Sequence, residues 1–132
     1  MARGLESLAE PVRLAAQGFL RAAALQGFDV LIYCTLRSLA EQSVLYASGR
    51  TARGLILTNA APGLSLHNPD ADGKAWAFDA VPMLAGRPLW TDSKALQKMG
   101  LLGEAQGLEW AGRWRGKFTE QAHFQIKKQV KT

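Results

Sequence analysis

Two histidines occur in the chain, and each has a carboxylate residue near it in the sequence. His67 precedes Asp79 by twelve positions, and Glu120 precedes His123 by three. A catalytic Zn²⁺ typically takes three protein ligands from nitrogen and carboxylate donors and keeps its fourth position for a water molecule. His67, Asp79 and His123 can supply that set, and Glu120 is then left over as a base. These four residues are candidates for metal-dependent hydrolysis.

The competing interpretation is that each histidine is a buried residue with one satisfied hydrogen bond, which is the commoner role. The neighbouring residues favour a site instead. They alternate as in a strand, with Phe78 on the face opposite to Asp79 and Phe124 on the face opposite to His123. If the two strands are neighbours in one sheet, they share a core on their aromatic face. Asp79 and His123 then project together from the other face.

The first half of the chain predicts a helix, a strand and a second helix. Apolar residues at helical spacing indicate a helix over roughly residues 6–26, and Pro11 in its first turn moves the start toward Glu10. Residues 29–35 form a short continuous apolar run, which is typical of a strand buried on both faces. A capping box that begins at Ser38 predicts the start of the second helix.

The second half of the chain begins with residues 50–64, which predict a loop with room for one short strand. Residues 82–88 predict a turn-rich connection, and a third helix is expected from about Asp92. Because no linker or repeat divides the chain, we expect a single domain over residues 1–132. The predicted fold class is α+β, a small antiparallel sheet flanked by about three helices.

Further motifs occupy most of the chain. In sequence order they are Arg37-Ser38, Glu41-Gln42, Leu45-Tyr46, the run from Gly49 to Asn59, Ser65-x-His67, Gly73, Ala77-x-Asp79, Gly107-Leu-Glu-Trp110, Trp114 and Glu120-x-x-His123-Phe124. Together they resemble the zinc peptidases of the M15 type, which include D-alanyl-D-alanine carboxypeptidases and bacteriophage L-alanyl-D-glutamate endolysins. The order and content of the motifs favour the phage endolysin branch.

The resemblance implies a fold, an activity and a role for each matched residue. The fold would be hedgehog/DD-peptidase-like, and the activity would be hydrolysis of an amide bond in the stem peptide of peptidoglycan. The expected bond is L-Ala-D-Glu, and D-alanyl-D-alanine carboxypeptidase activity is the alternative. Zinc would be held by His67, Asp79 and His123, with Glu120 as the catalytic acid and base. Two further positions match residues that assist substrate or transition-state binding: Arg37 and Ser65.

Two parts of this assignment have alternatives in the sequence itself. An apparent insertion, residues 69–73, brings Asp70 and Asp72 close to His67, so either could replace Asp79 as the carboxylate ligand. Asp79 is preferred because a strand can fix its geometry, whereas the other two lie in turn-forming sequence. Trp110 is predicted either to close one wall of the substrate cleft or to lie in the core.

Composition restricts the partners and the location. The net charge of +5 favours anionic partners such as nucleic acid or cell-wall polymers. No run of about 20 apolar residues is present, so no stable membrane insertion is expected. The N-terminus does not resemble a secretory signal. The resemblance to phage endolysins then implies synthesis in the host cytoplasm and action on the cell wall after another protein permeabilises the membrane. We expect the enzyme to be a monomer.

Two other function classes compete with the zinc peptidase. The single cysteine, Cys34, could serve a cysteine hydrolase, but it lies in an apolar strand where a thiolate would be costly. A non-catalytic binding module for cell wall or nucleic acid is the second, because aromatic and basic residues alternate near the C-terminus. These residues are Trp110, Arg113, Trp114, Arg115 and Lys117. No nucleic-acid-binding signature accompanies them, so nucleic acid is not the expected partner.

Overall fold

An antiparallel five-stranded sheet and three helices make up the fold of residues 2–127, the part of the chain that the computed structural model describes. The strand order is β1-β2-β5-β4, and β3 pairs with the far end of β2. The elements are α1 (Glu10–Leu25), β1 (Asp29–Cys34), α2 (Leu39–Ala47), β2 (Ala77–Leu84), β3 (Arg87–Pro88), α3 (Ser93–Glu104), β4 (Glu109–Trp110) and β5 (His123–Gln125). The predicted α+β class is confirmed.

Helix boundaries follow local sequence signals. α1 begins at Glu10 with Pro11 in its first turn, where the missing N–H of proline costs nothing. α2 begins with both bonds of the predicted capping box: Glu41 N–H donates to Ser38 Oγ at 3.0 Å, and Ser38 N–H donates to Glu41 Oε1 at 2.9 Å. α3 begins after Asp92, whose carboxylate accepts the Ala95 N–H at 3.0 Å.

An aromatic cluster joins α1 to the sheet. Phe19 of α1 lies 5.8 Å from Phe78 of β2 and 5.2 Å from Phe124 of β5, measured between ring centroids. The rings of Phe78 and Phe124 are stacked at 5.3 Å. All three side chains are fully buried. The predicted aromatic core between the two strands is confirmed, and it leaves the opposite face of these strands free for a site.

Two strand predictions were wrong in detail. β1 is not buried on both faces, because Asp29 and Leu31, which share one face, are exposed. The strand forms one edge of the sheet. The region predicted as a turn-rich connection continues as β2 through Pro82 to Leu84 and turns back into β3. Proline lacks only the N–H donor, and the Pro82 carbonyl still accepts the Leu89 N–H at 2.8 Å.

The long segment between α2 and β2 contains no strand among its described residues, so its predicted short strand is absent. Its C-terminal part is fixed by the Asp70 carboxylate, which accepts hydrogen bonds from the backbone of Asp72 and Lys74 and from Trp76 Nε1. Three residues before Asp70, the His67 carbonyl accepts the Arg37 N–H at 2.8 Å. The segment is thereby tied to the end of β1. Across the described residues, no helix combines the length and apolar character needed to cross a membrane.

Candidate metal centre

Asp79 and His123 are direct partners in the antiparallel pair of β2 and β5. Side chains of such partners project from the same face of a sheet. Asp79 Oδ1 lies 3.2 Å from His123 Nδ1. The sequence-based expectation that these two residues meet on the face opposite to Phe78 and Phe124 is therefore met by the geometry.

His67 completes the group from the long segment. Its Nε2 lies 3.1 Å from Asp79 Oδ1 and 3.2 Å from His123 Nδ1. Both histidine side chains are buried, and the Asp79 side chain is 15% exposed. One oxygen and two nitrogens thus lie at nearly equal mutual distances. Asp70 and Asp72 are excluded as alternatives because the Asp70 carboxylate is committed to its own loop and Asp72 is exposed.

The remaining nitrogen of each histidine has an acceptor. His67 Nδ1 lies 2.8 Å from the Thr35 carbonyl, and His123 Nε2 lies 2.8 Å from Gln125 Oε1. A carbonyl oxygen can only accept, so His67 Nδ1 carries a proton. When Gln125 presents its amide oxygen to His123, Nε2 of His123 carries a proton as well. Each ring can then offer its other nitrogen to a cation, which is the usual arrangement of histidine ligands in metal sites.

The donor set fits zinc. Two imidazole nitrogens and one carboxylate oxygen form a common ligand set for a catalytic zinc ion. Ligand atoms at about 2.0–2.1 Å from a tetrahedral zinc lie about 3.3 Å from each other. The mutual distances of 3.1, 3.2 and 3.2 Å are close to that value. His67, Asp79 and His123 would therefore hold the ion with little rearrangement.

A second grouping includes Cys34, because its Sγ lies within 4.8 Å of ligand atoms of His67 and Asp79. Cys34 Sγ is 3.8 Å from His67 Nδ1, the nitrogen that also contacts the Thr35 carbonyl. We favour the set with His123 because its distances are shorter and each ring nitrogen keeps its partner. Cys34 is buried and lies beside this set.

Without a metal, the charges of His67 and Asp79 stabilise each other. Burial disfavours the charged form of His67, but the Asp79 carboxylate outweighs burial and raises the pKa of His67 to about 10. Burial likewise opposes the charge of Asp79, and the two histidines outweigh it, so the pKa of this carboxyl lies below its usual range. The group therefore holds an ion pair at neutral pH, and a metal ion would displace the His67 proton.

The cleft around this group has a volume of about 1170 Å³ and is lined by several of the predicted residues. Glu120 Oε2 lies 3.8 Å from His123 Nδ1, and the Glu120 side chain is 43% exposed. Arg37 Nη2 lies 3.7 Å from Asp79 Oδ2, and its Nη1 donates to Gln42 Oε1 at 2.8 Å. Ser65 Oγ accepts the His67 N–H at 3.1 Å. Glu120, Arg37 and Ser65 therefore line the same cleft as the candidate ligands.

The prediction that Trp110 closes one wall of the substrate cleft is wrong, and the alternative, a place in the core, is what the structure shows. It is 6% exposed, belongs to the hydrophobic core, and donates its Nε1–H to the Gln121 carbonyl at 2.8 Å. The neighbouring Trp114 lines the cleft instead, with its ring 5.6 Å from that of His123. Both tryptophans have an apolar ring and one donor, so residue type did not distinguish them. Their positions differ because Trp110 ends β4 facing α3, whereas Trp114 follows a short 3-10 turn.

Three residues that support the site were given no role from the sequence, although two of them lie in the motifs above: Gln42, Glu109 and Gln125. Gln42 is fully buried and joins Arg37 to the Ala60 carbonyl. Gln125 contacts both His123 and Glu109. The available signal for Gln125 was its spacing, because a residue two positions from His123 in a strand shares its face.

No family model matches the chain. The peptidoglycan L-alanyl-D-glutamate endopeptidase CwlK of Bacillus subtilis (strain 168) is 31% identical over an alignment of 125 residues that covers 87% of this chain and 71% of that protein. The crystal structure of Serratia marcescens L-Ala D-Glu endopeptidase ChiX has a TM-score of 0.65 at 20% identity and covers 93% of this chain and 83% of its own.

A second solved structure, the LdcB LD-carboxypeptidase, has a TM-score of 0.62 at 22% identity and covers 90% of this chain and 65% of its own. The two structural matches establish the fold. The identity to CwlK extends along most of both chains. On this evidence the chain belongs to the M15-type family of zinc peptidases.

Proposed function

We propose that the protein is a zinc-dependent peptidoglycan peptidase that hydrolyses the L-Ala-D-Glu bond of the stem peptide. One observation carries the proposal: His67 Nε2, Asp79 Oδ1 and His123 Nδ1 lie 3.1–3.2 Å from one another in a cleft. The choice of bond is supported by CwlK and ChiX, which are both named as L-Ala-D-Glu endopeptidases. Carboxypeptidase action on D-alanyl-D-alanine is the alternative.

Bound zinc would supply Lewis acidity toward a carbonyl oxygen and a lowered pKa for water. The chain supplies the proton transfers. The Glu120 carboxylate lies at the open side of the ligand group, 3.8 Å from His123 Nδ1. We assign it as the base that takes a proton from the attacking water and then gives that proton to the leaving amine. Its exposure lets it reach both positions.

Arg37 and Ser65 are assigned to the substrate. The Arg37 guanidinium lies beside Asp79 and is held by Gln42, so its position does not depend on a bound ligand. A fixed guanidinium can bind a carboxylate of the stem peptide or stabilise the negative charge that develops on the scissile carbonyl. Ser65 orients the segment before His67 through its bond to the His67 N–H and also lines the cleft.

Digestion of purified peptidoglycan tests the proposal. We expect the full chain to release new amino termini, to lose this activity in a chelator and to regain it with added Zn²⁺. Fragment masses identify the bond, because cleavage between L-Ala and D-Glu separates the peptide from L-Ala on the glycan, whereas carboxypeptidase action removes one D-Ala. A chelator-resistant activity would contradict the zinc assignment. Fragments that lack only D-Ala would contradict the bond assignment.

We also propose that the protein acts as a bacteriophage endolysin, a role that rests on the motif order alone. It would be made in the host cytoplasm, act as a monomer, and reach the wall after a second protein permeabilises the membrane. Expression in the cytoplasm of a bacterial host should leave cells intact until a permeabilising agent is added, and sedimentation should give the monomer mass. Lysis on expression alone would contradict this route.

A further inference from the structure

A row of polar side chains continues from the candidate metal centre toward β4. Glu109 of β4 and Gln125 of β5 are direct partners in the sheet, and two residues away along β5 His123 is the direct partner of Asp79 in β2. Gln125 lies two residues after His123 and therefore shares its face. Gln125 is 6% exposed. A buried amide of this kind needs partners for both its oxygen and its nitrogen.

The orientation of that amide is determined by Glu109. Gln125 Nε2 lies 3.0 Å from Glu109 Oε2, and a carboxylate oxygen can only accept. The amide nitrogen must therefore face Glu109, which turns Gln125 Oε1 toward His123 Nε2 at 2.8 Å. That oxygen requires the proton of His123 to be on Nε2. The lone pair on Nδ1 is then directed at Asp79 and His67.

The second oxygen of Glu109 holds the aromatic neighbour of the same histidine. Trp114 Nε1 donates to Glu109 Oε1 at 3.0 Å, and the Trp114 ring lies 5.6 Å from the His123 ring. Burial raises the pKa of Glu109, but hydrogen bonds from Gln125 and Trp114 outweigh it and hold this pKa below its usual range. Glu109 thus accepts both bonds as a carboxylate at neutral pH.

We propose that Glu109, acting through Gln125, is a positioning residue that fixes the tautomer and the ring orientation of His123 for metal binding. The inference rests on the proposed zinc site and assigns Glu109 no contact with the metal or the substrate. Mutation of a residue that hydrogen-bonds to a ligand histidine typically weakens metal affinity by about 10–100-fold. If Glu109 and Gln125 only filled space in the sheet, donor and acceptor direction would be irrelevant to affinity.

An exchange of the two residues separates these interpretations. Glu109→Gln alone allows both amides to turn either way, and Gln125→Glu alone places two carboxylates against each other. The double variant E109Q/Q125E restores every pairing. The amide of residue 109 can accept from Trp114 and donate to residue 125, whose carboxylate can accept the His123 Nε2–H. A matched control is Glu104→Gln, which removes a carboxylate that pairs with Arg113.

The measurement is the Zn²⁺ dissociation constant of the full chain, by competition with a chromophoric chelator. We expect Glu109→Gln and Gln125→Glu each to weaken binding by about tenfold or more, the double variant to return to near the wild-type value, and Glu104→Gln to bind as wild type does. Nuclear magnetic resonance of the zinc-loaded protein should show a slowly exchanging His123 Nε2–H in the wild type and the double variant and faster exchange in the single variants.

Circular dichroism of each metal-free variant establishes that it is folded. Wild-type affinity in folded Glu109→Gln would overturn the inference while leaving the zinc site intact. A folded double variant that binds as weakly as the single variants would also overturn it. If a single variant does not fold, the double variant is compared with the wild type in affinity and in His123 Nε2–H exchange. That comparison still tests whether restored pairing restores zinc binding. Failure of the wild type to bind Zn²⁺ would overturn the proposed function and this inference together.

Discussion

Asp79 and His123 face each other across β2 and β5, with Oδ1 and Nδ1 3.2 Å apart. This relationship depends on the register of the two strands. A shift of one residue would exchange the faces, so that Phe124 would enter the cleft and His123 would enter the aromatic core. The packing of Phe124 against Phe19 and Phe78 therefore stabilises the register that brings the ligands together.

The first prediction concerns the pH dependence of stability in the metal-free protein. Because the folded-state pKa of His67 is raised to about 10, its ion pair with Asp79 stabilises the fold fully below about pH 6.5 and is lost as the pH rises through 10. Between pH 6.5 and 9 we expect the free energy of unfolding to fall by at most about 1.4 kcal/mol per pH unit. Urea unfolding in a chelator measures it.

The control for this prediction is Asp79→Asn, which removes the charge that raises the His67 pKa. In that variant the decline between pH 6.5 and 9 should flatten. Asp79 itself has a depressed pKa, so its own contribution is lost only in acid, below the unfolded pKa of about 4. An equal slope in the variant and the wild type would show that another group causes the decline.

The second prediction is that Glu120→Gln abolishes hydrolysis without releasing zinc. The amide keeps the size of the side chain but cannot take a proton, and loss of a general base typically costs about 10²–10⁴-fold in rate. Release of amino termini from peptidoglycan measures the rate, and elemental analysis measures the bound zinc. Glu120→Asp should retain an intermediate rate because it keeps a carboxylate at shorter reach. A fully active Glu120→Gln enzyme would remove Glu120 from the mechanism.

The third prediction is that Arg37→Lys impairs catalysis although it keeps the charge. Lysine cannot both donate to Gln42 and present a planar fork to a carboxylate. A lost hydrogen bond to a charged group costs about 1.5–3 kcal/mol, so kcat/KM should fall by about 10–100-fold. Arg21→Lys, on the exposed face of α1, is the matched control and should act as wild type does. Equal kcat/KM in both variants would contradict the assigned role of Arg37.

The sequence predicted those parts of the fold that depend on local pattern. Strand alternation placed Asp79 and His123 on one face, and the capping box at Ser38 located α2. It did not predict the continuation of β2 through Pro82, because proline disfavours a strand except where its missing N–H is not needed. That condition depends on the neighbouring strands, which a single sequence does not specify.

The choice between Trp110 and Trp114 depends on tertiary packing in the same way. Trp110 is covered by α3, where Gly100 leaves room for its ring. Nothing within a few residues of Trp110 in the sequence indicates that a glycine on another helix will meet it. The same limit applies to Glu109, whose role is visible only once β4 is paired with β5.

The last prediction compares two helical glycines with opposite surroundings. A Cβ on Gly103 of α3 would overlap the ring of Phe124, which is fully buried, whereas a Cβ on Gly18 of α1 would meet only the far end of the Gln106 side chain. Replacing a helical glycine by alanine gains about 1 kcal/mol, but overpacking a rigid core typically costs about 1–3 kcal/mol. Gly18→Ala should therefore raise the free energy of unfolding, since the Gln106 side chain can rotate away, and Gly103→Ala should lower it.

Because Phe124 adjoins His123 in β5, Gly103→Ala should also weaken zinc binding, which Gly18→Ala should leave unchanged. Chemical denaturation and zinc titration of both variants measure these effects. A stabilised Gly103→Ala protein would show that α3 is not tightly packed against the strand that carries His123.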